Sequence, residues 1–266
     1  MTDAQTPTPS YDAVLAALTS SHERLVRLLR GLDDDAVDRP SYASEWTIAQ
    51  VASHLGSGAE IFGLMVEAGQ AGQPAPGGDT FAPIWDAWNA KSGPEQVRDA
   101  LRADAEFLDL FSKLTGEQIK TWRLDMFGTV RSLTELLQMR LAEHALHTWD
   151  IEVALDPTAT LPDDAAGLVL DNLGFLVSHA AKASAEPRGV QVSTSSPDRS
   201  LLLQLSTEGA TLSAATGAED AAASLRAPSE AFVRLVYGRL DPEHTPGSVQ
   251  ADPDLLDQLR KVFPGV

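Results

Sequence analysis

Apolar residues recur at three- and four-residue intervals over most of the first 155 positions, the spacing of amphipathic helices. After position 185 they alternate with polar residues in short runs punctuated by Gly, Ser, Pro and Asp, the pattern of strands in an antiparallel sheet. Leu15, Leu18, Leu25, Leu28 and Leu29 predict a helix from Tyr11 to about Leu32, with Gly31, the Asp33-Asp34-Asp35 run and Pro40 breaking the chain after it. A second helix opens within the stretch from Ser44 to Leu55, where Thr47 and Gln50 have the spacing of a capping box. Residues 70–83 form a Gly/Pro-rich loop, and a third helical region runs from Ile84 to about Leu114, divided at Gly93-Pro94. Its second half carries an apolar stripe at Val97, Leu101, Ala105, Leu108 and Leu110. Residues 115–130 are less regular, with Trp122, Leu124, Met126 and Phe127 placed to cap a bundle or edge a pocket. Ser132 and Glu135 then cap a long helix that no Gly or Pro interrupts before Pro157.

Four long helices with one long crossover predict a four-helix bundle over residues 1–156. Residues 157–266 read as a smaller α+β domain. Pro162-Asp163-Asp164 starts a helix to about Ala185, four strands span 189–194, 201–206, 210–215 and 221–225, Ser229–Arg239 is a helix closed by Gly238, and 252–263 is a last helix. The fold class is α+β.

Chemistry concentrates on the Ser132 helix. Glu143 and His147 lie four positions apart, on one face and one turn from each other, and Asp150 falls three positions later on the same stripe. A carboxylate and an imidazole so placed can share one ion, with Asp150 as a further ligand or as a group orienting the histidine. His144, three positions before His147, has an equally usable spacing. Leu133, Leu137, Leu141, Ile151 and Leu155 flank His144, whereas Leu136, Met139, Leu146 and Ala154 flank Glu143, so the apolar pattern does not decide between the faces. The competing reading is a buried helix whose His and Glu bond within the core or reach solvent. His54, on the stripe of Gly58, Ile61 and Met65, is the one convincing ligand elsewhere, and Gly56-Ser57-Gly58 would let something bulky approach beside it. Close helix packing, with His54 bonded to a backbone carbonyl, explains the same residues. His22 reads as an ordinary helix residue.

Composition narrows the classes. A length of 266 residues fits one or two domains, and 43% hydrophobic residues supply a packed core. No apolar run is long enough to span a bilayer, and Met1–Ser10 lacks signal-peptide character and reads as a short flexible leader, so a soluble cytoplasmic protein is expected. A formal net charge of −18 speaks against nucleic acid and anionic membrane surfaces as partners. The chain has no cysteine, which removes disulfides, thiolate metal sites and a cysteine nucleophile. Any thiol chemistry must borrow its thiol.

Trp46-Thr47 and His54-Leu55, followed by Glu143 and His147-Thr148-Trp149-Asp150, resemble the mycothiol-dependent maleylpyruvate isomerase family. The N-terminal half is similar to metal-binding DinB-like four-helix bundles. The C-terminal half resembles a sterol-carrier-like domain, including Tyr237-Gly238-Arg239 and the run from Leu255 to Gly265. The resemblance implies Zn²⁺ ligands at His54, Glu143 and His147, which breaks the tie with His144, although Ni²⁺, Co²⁺ or Fe²⁺ would suit the same donors. It makes Arg239 the candidate cation for a substrate carboxylate, and Asp150, from its spacing, remains the group that supports His147. It implies mycothiol as thiol cosubstrate: a metal-favoured thiolate adds to the cis double bond of maleylpyruvate, and rotation and loss of the thiol give the trans isomer. The expected partners are a low-molecular-weight thiol and a small unsaturated acid or other electrophile, acting on a monomer or homodimer. A mycothiol S-transferase would use the same site. A non-catalytic metal or small-ligand module, or a hydrolase drawing on zinc-bound water and Asp150, are the other readings.

Overall fold

The computed structural model describes residues 9–43, 45–126, 128–215, 221–251 and 253–265; most of the N-terminal leader, Ser44, Phe127 and Asp252 lie outside the described residues. The described chain divides into two units between Ala159 and Thr160. Residues 157–159 go with the helical unit because the Trp149 indole donates to the Ala159 carbonyl (2.9 Å) and Asp156 caps the turn at Thr158.

The first unit begins with α1 (Tyr11–Arg30) and the single turn α2 (Asp34–Val37), capped by Ser10 and Asp33. A β-bridge between Pro40 and Thr47 closes the loop that carries Trp46. The Thr47–Gln50 capping box starts α3 (Ile48–Ala71), which ends at Gly72 in the left-handed region (φ 63°). Gly56 and Gly58 do not break α3; they make room. A Cβ on Gly56 would lie 2.3 Å from the Trp88 ring, and one on Gly58 2.8 Å from Arg140 Nη1.

Helix α4 (Gly78–Asn89) starts six residues before the expected Ile84 and contains Pro83, whose missing N–H costs one bond close to the helix start. The Ser92–Glu95 capping box opens α5 (Gly93–Ser112). Its buried stripe is Gln96, Asp99, Ala100, Ala103, Asp104, Phe107 and Phe111, rotated from the one predicted. The irregular stretch is α6 (Gly116–Thr121) and a hairpin of β1 (Arg123–Met126) and β2 (Thr129–Ser132), turned at Gly128 (φ 76°). Trp122, Leu124 and Met126 are buried, and the Trp122 indole donates to the Val66 carbonyl on α3 (2.8 Å), so they cap the bundle. The Ser132–Glu135 box starts α7 (Leu133–Leu155). α1 packs on α7 and α3 on α5, with further α3–α7 and α1–α5 contacts. Buried residues fall on every side of α7, which is why its apolar pattern pointed nowhere.

The second unit holds α8 (Asp163–Asp171) and α9 (Leu173–Ala180), one expected helix broken at Asn172. The sheet follows: β3 (Arg188–Ser195), β4 (Arg199–Ser206), β5 (Gly209–Ala214) and β6 (Ala223–Pro228), in the order β5-β4-β3-β6. It is antiparallel through β5-β4-β3, and β6 joins the other edge of β3 in parallel. Leu201, Leu203 and Leu205 alternate into the core. α10 (Ser229–Val236) is closed by Gly238 (φ 72°), where a Cβ would lie 2.3 Å from Gly265 Cα, and α11 (Pro253–Val262) follows. No helix of the described residues is long and apolar enough to cross a membrane.

One buried carboxylate and the guanidinium it holds join all four bundle helices. Asp104 (α5), 1% exposed at its side chain, receives His22 Nδ1 from α1 (2.6 Å) and His144 Nε2 from α7 (2.8 Å) on Oδ2, and Arg140 Nη2 from α7 (2.9 Å) on Oδ1. Arg140 also donates to the Leu55 carbonyl of α3 (2.9 Å). Burial alone would raise the Asp104 pKa. The charge and hydrogen bond of His144, the His22 bond and the Arg140 guanidinium outweigh it and hold the group well below the usual carboxylate range. A carboxylate held low stabilises the fold above its unfolded value of about 3.9, and that contribution is lost as pH falls toward the folded value. Asp104→Asn leaves Arg140 with an uncompensated buried charge, and we expect it to cost about 3–5 kcal/mol at neutral pH. Thermal unfolding across pH checks this: the deficit should hold from pH 8 to about pH 5 and narrow below about pH 4, where the unfolded chain takes up a proton that native Asp104 still refuses.

Candidate metal centre

The capping box at Thr47 fixes where α3 begins and so places His54 two turns inside it. Glu143 and His147 project one turn apart from the middle of α7. The three meet. His54 Nε2 lies 3.3 Å and His147 Nε2 3.7 Å from Glu143 Oε2, and the two imidazoles cross edge to face at 4.6 Å between centroids. Asp150 Oδ2 accepts from His147 Nδ1 at 2.9 Å. An ionised carboxylate can only accept, so Nδ1 carries a proton, and in the neutral ring it is Nε2, the nitrogen facing Glu143, that holds the lone pair. Asp150 is fully buried, and its main-chain carbonyl accepts from Tyr42 N (3.0 Å), which ties the Trp46 loop to α7. The Trp46 ring sits 5.2 Å from the His54 ring and 6.0 Å from that of His147.

The described residues hold two His/carboxylate groups whose donor atoms all lie within 4.8 Å of one another: His54, Glu143 and His147, and His22, Asp104 and His144. Their spacings differ. Ligand atoms around a tetrahedral ion at ordinary Zn–N and Zn–O lengths are roughly 3.3–3.5 Å apart. At Glu143 the 3.3 Å contact falls at that separation and the 3.7 Å contact slightly above it. The contacts of 2.6 and 2.8 Å at Asp104 are hydrogen-bond lengths. His144 is also satisfied at its second nitrogen, where Ser21 Oγ stands 2.8 Å from Nδ1. The Asp104 carboxylate and the His144 ring are thus satisfied by hydrogen bonds, while Arg140 Nε beside them is buried without a partner.

Exposure points the same way. Side-chain exposures of 35% for His54 and 43% for Glu143 leave the first cluster open to an incoming group, while His144 and Asp104 are sealed at 0% and 1%. Burial would raise the Glu143 pKa, but the His54 hydrogen bond and the charges of His147, His54 and Arg140 bring it below the ordinary glutamate value, so the carboxylate is ionised at neutral pH. An ionised carboxylate and two imidazoles form a donor set suited to a borderline divalent cation.

Arg239 belongs to the second unit, where its Nη1 donates to the Tyr237 carbonyl at the end of α10 (2.9 Å). Asp104 escaped the sequence reading. Its one local signal was a charged residue on an apolar helix stripe; its partners His22 and His144 lie 82 and 40 residues away. His22, read as a helix-surface or core residue, is half-buried and hydrogen-bonded to Asp104.

The mycothiol maleylpyruvate isomerase N-terminal domain family model matches residues 18–152, just over half of the chain, and that segment includes all three donors and Asp150. Among solved structures, the mycothiol-dependent maleylpyruvate isomerase and a histidine-to-alanine mutant of it each match with a TM-score of 0.66 at 14% identity, over 95% of this chain and 96% of theirs, which shows a shared fold. YfiT from Bacillus subtilis, described as a probable metal-dependent hydrolase with an unusual four-helix bundle topology, matches 57% of this chain and 89% of its own at 15% identity and a TM-score of 0.44. Comparison with curated protein sequences returns no match. With most of its bundle helices inside the matched segment, the chain belongs to the mycothiol maleylpyruvate isomerase N-terminal domain family.

Proposed function

We propose that the chain is a metal-dependent, thiol-using enzyme, a zinc- and mycothiol-dependent isomerase of the maleylpyruvate isomerase type acting on a cis-unsaturated acid. The observation that carries this reading is the meeting of His54, Glu143 and His147 at metal-ligand spacing inside the segment that the family model matches. His54 Nε2, His147 Nε2 and the Glu143 carboxylate would hold the metal. Three protein ligands leave a position for an exogenous group, the arrangement of catalytic rather than structural zinc. When bound, the metal favours the ionised form of a coordinating thiol at neutral pH.

The remaining work falls to the chain's own groups. Asp150 keeps the proton on His147 Nδ1 and so fixes which nitrogen faces the centre. Glu143 stays ionised and brings one negative charge to the donor set. Trp46 stands beside both imidazoles and limits the approach of water. Arg239 would supply the cation for a substrate carboxylate.

Metal analysis by plasma mass spectrometry tests the centre. Wild-type protein should carry about one zinc per chain, and His54→Ala, Glu143→Ala and His147→Ala should each lose it while keeping the helical circular dichroism of the bundle. Stoichiometric metal in all three variants would refute the assignment. Asp150→Asn should keep the site but bind zinc about 10–100-fold more weakly in chelator competition. In assays with maleylpyruvate and mycothiol, product should form without loss of thiol; stoichiometric thiol loss would mark S-transfer instead. Arg239→Gln should raise KM about tenfold, the loss of one charge-assisted hydrogen bond, and an unchanged KM would remove Arg239 from the substrate site.

A further inference from the structure

Within the second unit, a cavity of about 700 Å³ opens between residues 183–188 and α11. Clefts that hold small ligands enclose about 300–1,000 Å³. The frame of this one is tied together by Gln258. Its Nε2 donates to Ser184 Oγ (2.8 Å) and to the Glu186 carbonyl (2.9 Å), and its Oε1 accepts from Arg188 Nη2.

The charges that line the cavity are only partly answered. All polar contacts of Arg188 run through Nη2, which also stands 3.7 Å from Glu186 Oε2, and its Nε is buried without a partner. A carboxylate laid along a guanidinium edge satisfies such donors in pairs. Lys261, three positions after Gln258 on α11, is exposed and makes no ion pair among the described residues. Asp254, four positions before Gln258, is likewise exposed and without an ion pair among them, whereas Asp257 is already answered by Arg260 (2.7 Å). Positions 254, 258 and 261 share one helix face. The cavity therefore carries an open anion near one end and, about 10 Å along the helix axis, an open cation near the other, with Arg188 between them at Gln258.

A ligand of one charge would leave one end unanswered, and a zwitterion answers both. Extended peptide advances about 3.3–3.6 Å per residue, so about three residues bridge the distance. Ala183, Ala185, Leu255 and Val262 line the remaining wall, which suits small side chains. The main-chain N–H groups of Ala183 and Ala185 have no partner among the described residues and are placed to pair with peptide carbonyls.

We propose that this cavity binds a short peptide with free ends, about three residues long, its carboxylate between Arg188 and Lys261 and its ammonium group at Asp254. Every residue of the site belongs to the second unit, and the proposal does not rest on the reading of the metal centre.

The test is amide chemical-shift mapping on the full ¹⁵N-labelled chain, with L-trialanine as probe. Shifts should saturate at residues 183–188 and 254–262 and spare the His54 and Glu143 stretches of α3 and α7. Amidating the carboxyl end or acetylating the amino end of the peptide should each weaken binding about threefold to tenfold. Lys261→Gln should weaken trialanine about threefold and leave the amidated peptide unchanged. Asp254→Asn should do the same to trialanine and leave the acetylated peptide unchanged. Both side chains are exposed, so the fold survives either substitution, and Lys261→Arg should restore the affinity. No shifts up to about 10 mM peptide, shifts confined to α3 and α7, or an affinity indifferent to either cap or to either substitution would overturn the proposal.

Discussion

A buried negative charge must be answered on every side, and the helical unit is built around answering one. Asp104 draws a guanidinium and two imidazoles from α1 and α7 into the core, and the guanidinium reaches on to a carbonyl of α3. Hydrophobic contacts alone tolerate sliding and rotation; directional bonds to a single carboxylate do not. The relative register of α3 and α7 is therefore fixed next to the residues that must meet. Leu55, whose carbonyl Arg140 holds, follows His54, and Arg140 precedes Glu143 by one turn. Gly58 belongs to the same device, since the guanidinium passes where its Cβ would be.

The two polar clusters show how alike residues acquire different work. Both contain two histidines and a carboxylate. At Asp104 the groups stand at hydrogen-bond distance, with Asp104 and His144 excluded from solvent and the carboxylate braced by a permanent cation, so little is left to bind anything else. At Glu143 they stand farther apart, half open, with one imidazole oriented from behind by a sealed carboxylate. Separation and access, more than composition, distinguish a brace from a receptor.

Much of this was legible in the sequence because it is written locally. The capping boxes at Thr47/Gln50 and Ser132/Glu135 placed both ligand-bearing helices, and the four-residue spacing of Glu143 and His147 put them on one face. The losses have physical causes. The stripe of α5 was misread because Gln96, Asp99 and Asp104 are polar yet buried, and a pattern of apolar residues counts such positions as surface. The Arg123–Met126 hairpin was missed because four-residue strands carry too few alternations to register. α4 was begun too late because Gly78 and Pro83 read as loop residues although the helix runs through both. Nothing local tells His144 from Glu143 as the inward residue, because α7 is enclosed on all sides; partners on other helices decide it.

Asp150 uses both of its ends: its side chain steadies His147, and its main chain holds Tyr42 in the loop that carries Trp46. The mouth of the centre and the aim of one of its donors are thus mechanically a single part. Grafting a foreign loop over residues 40–47 would also disturb that imidazole, so new specificities at this mouth are more accessible through single side-chain changes, at the Trp46 position or across on α4, than through exchange of the loop as a cassette.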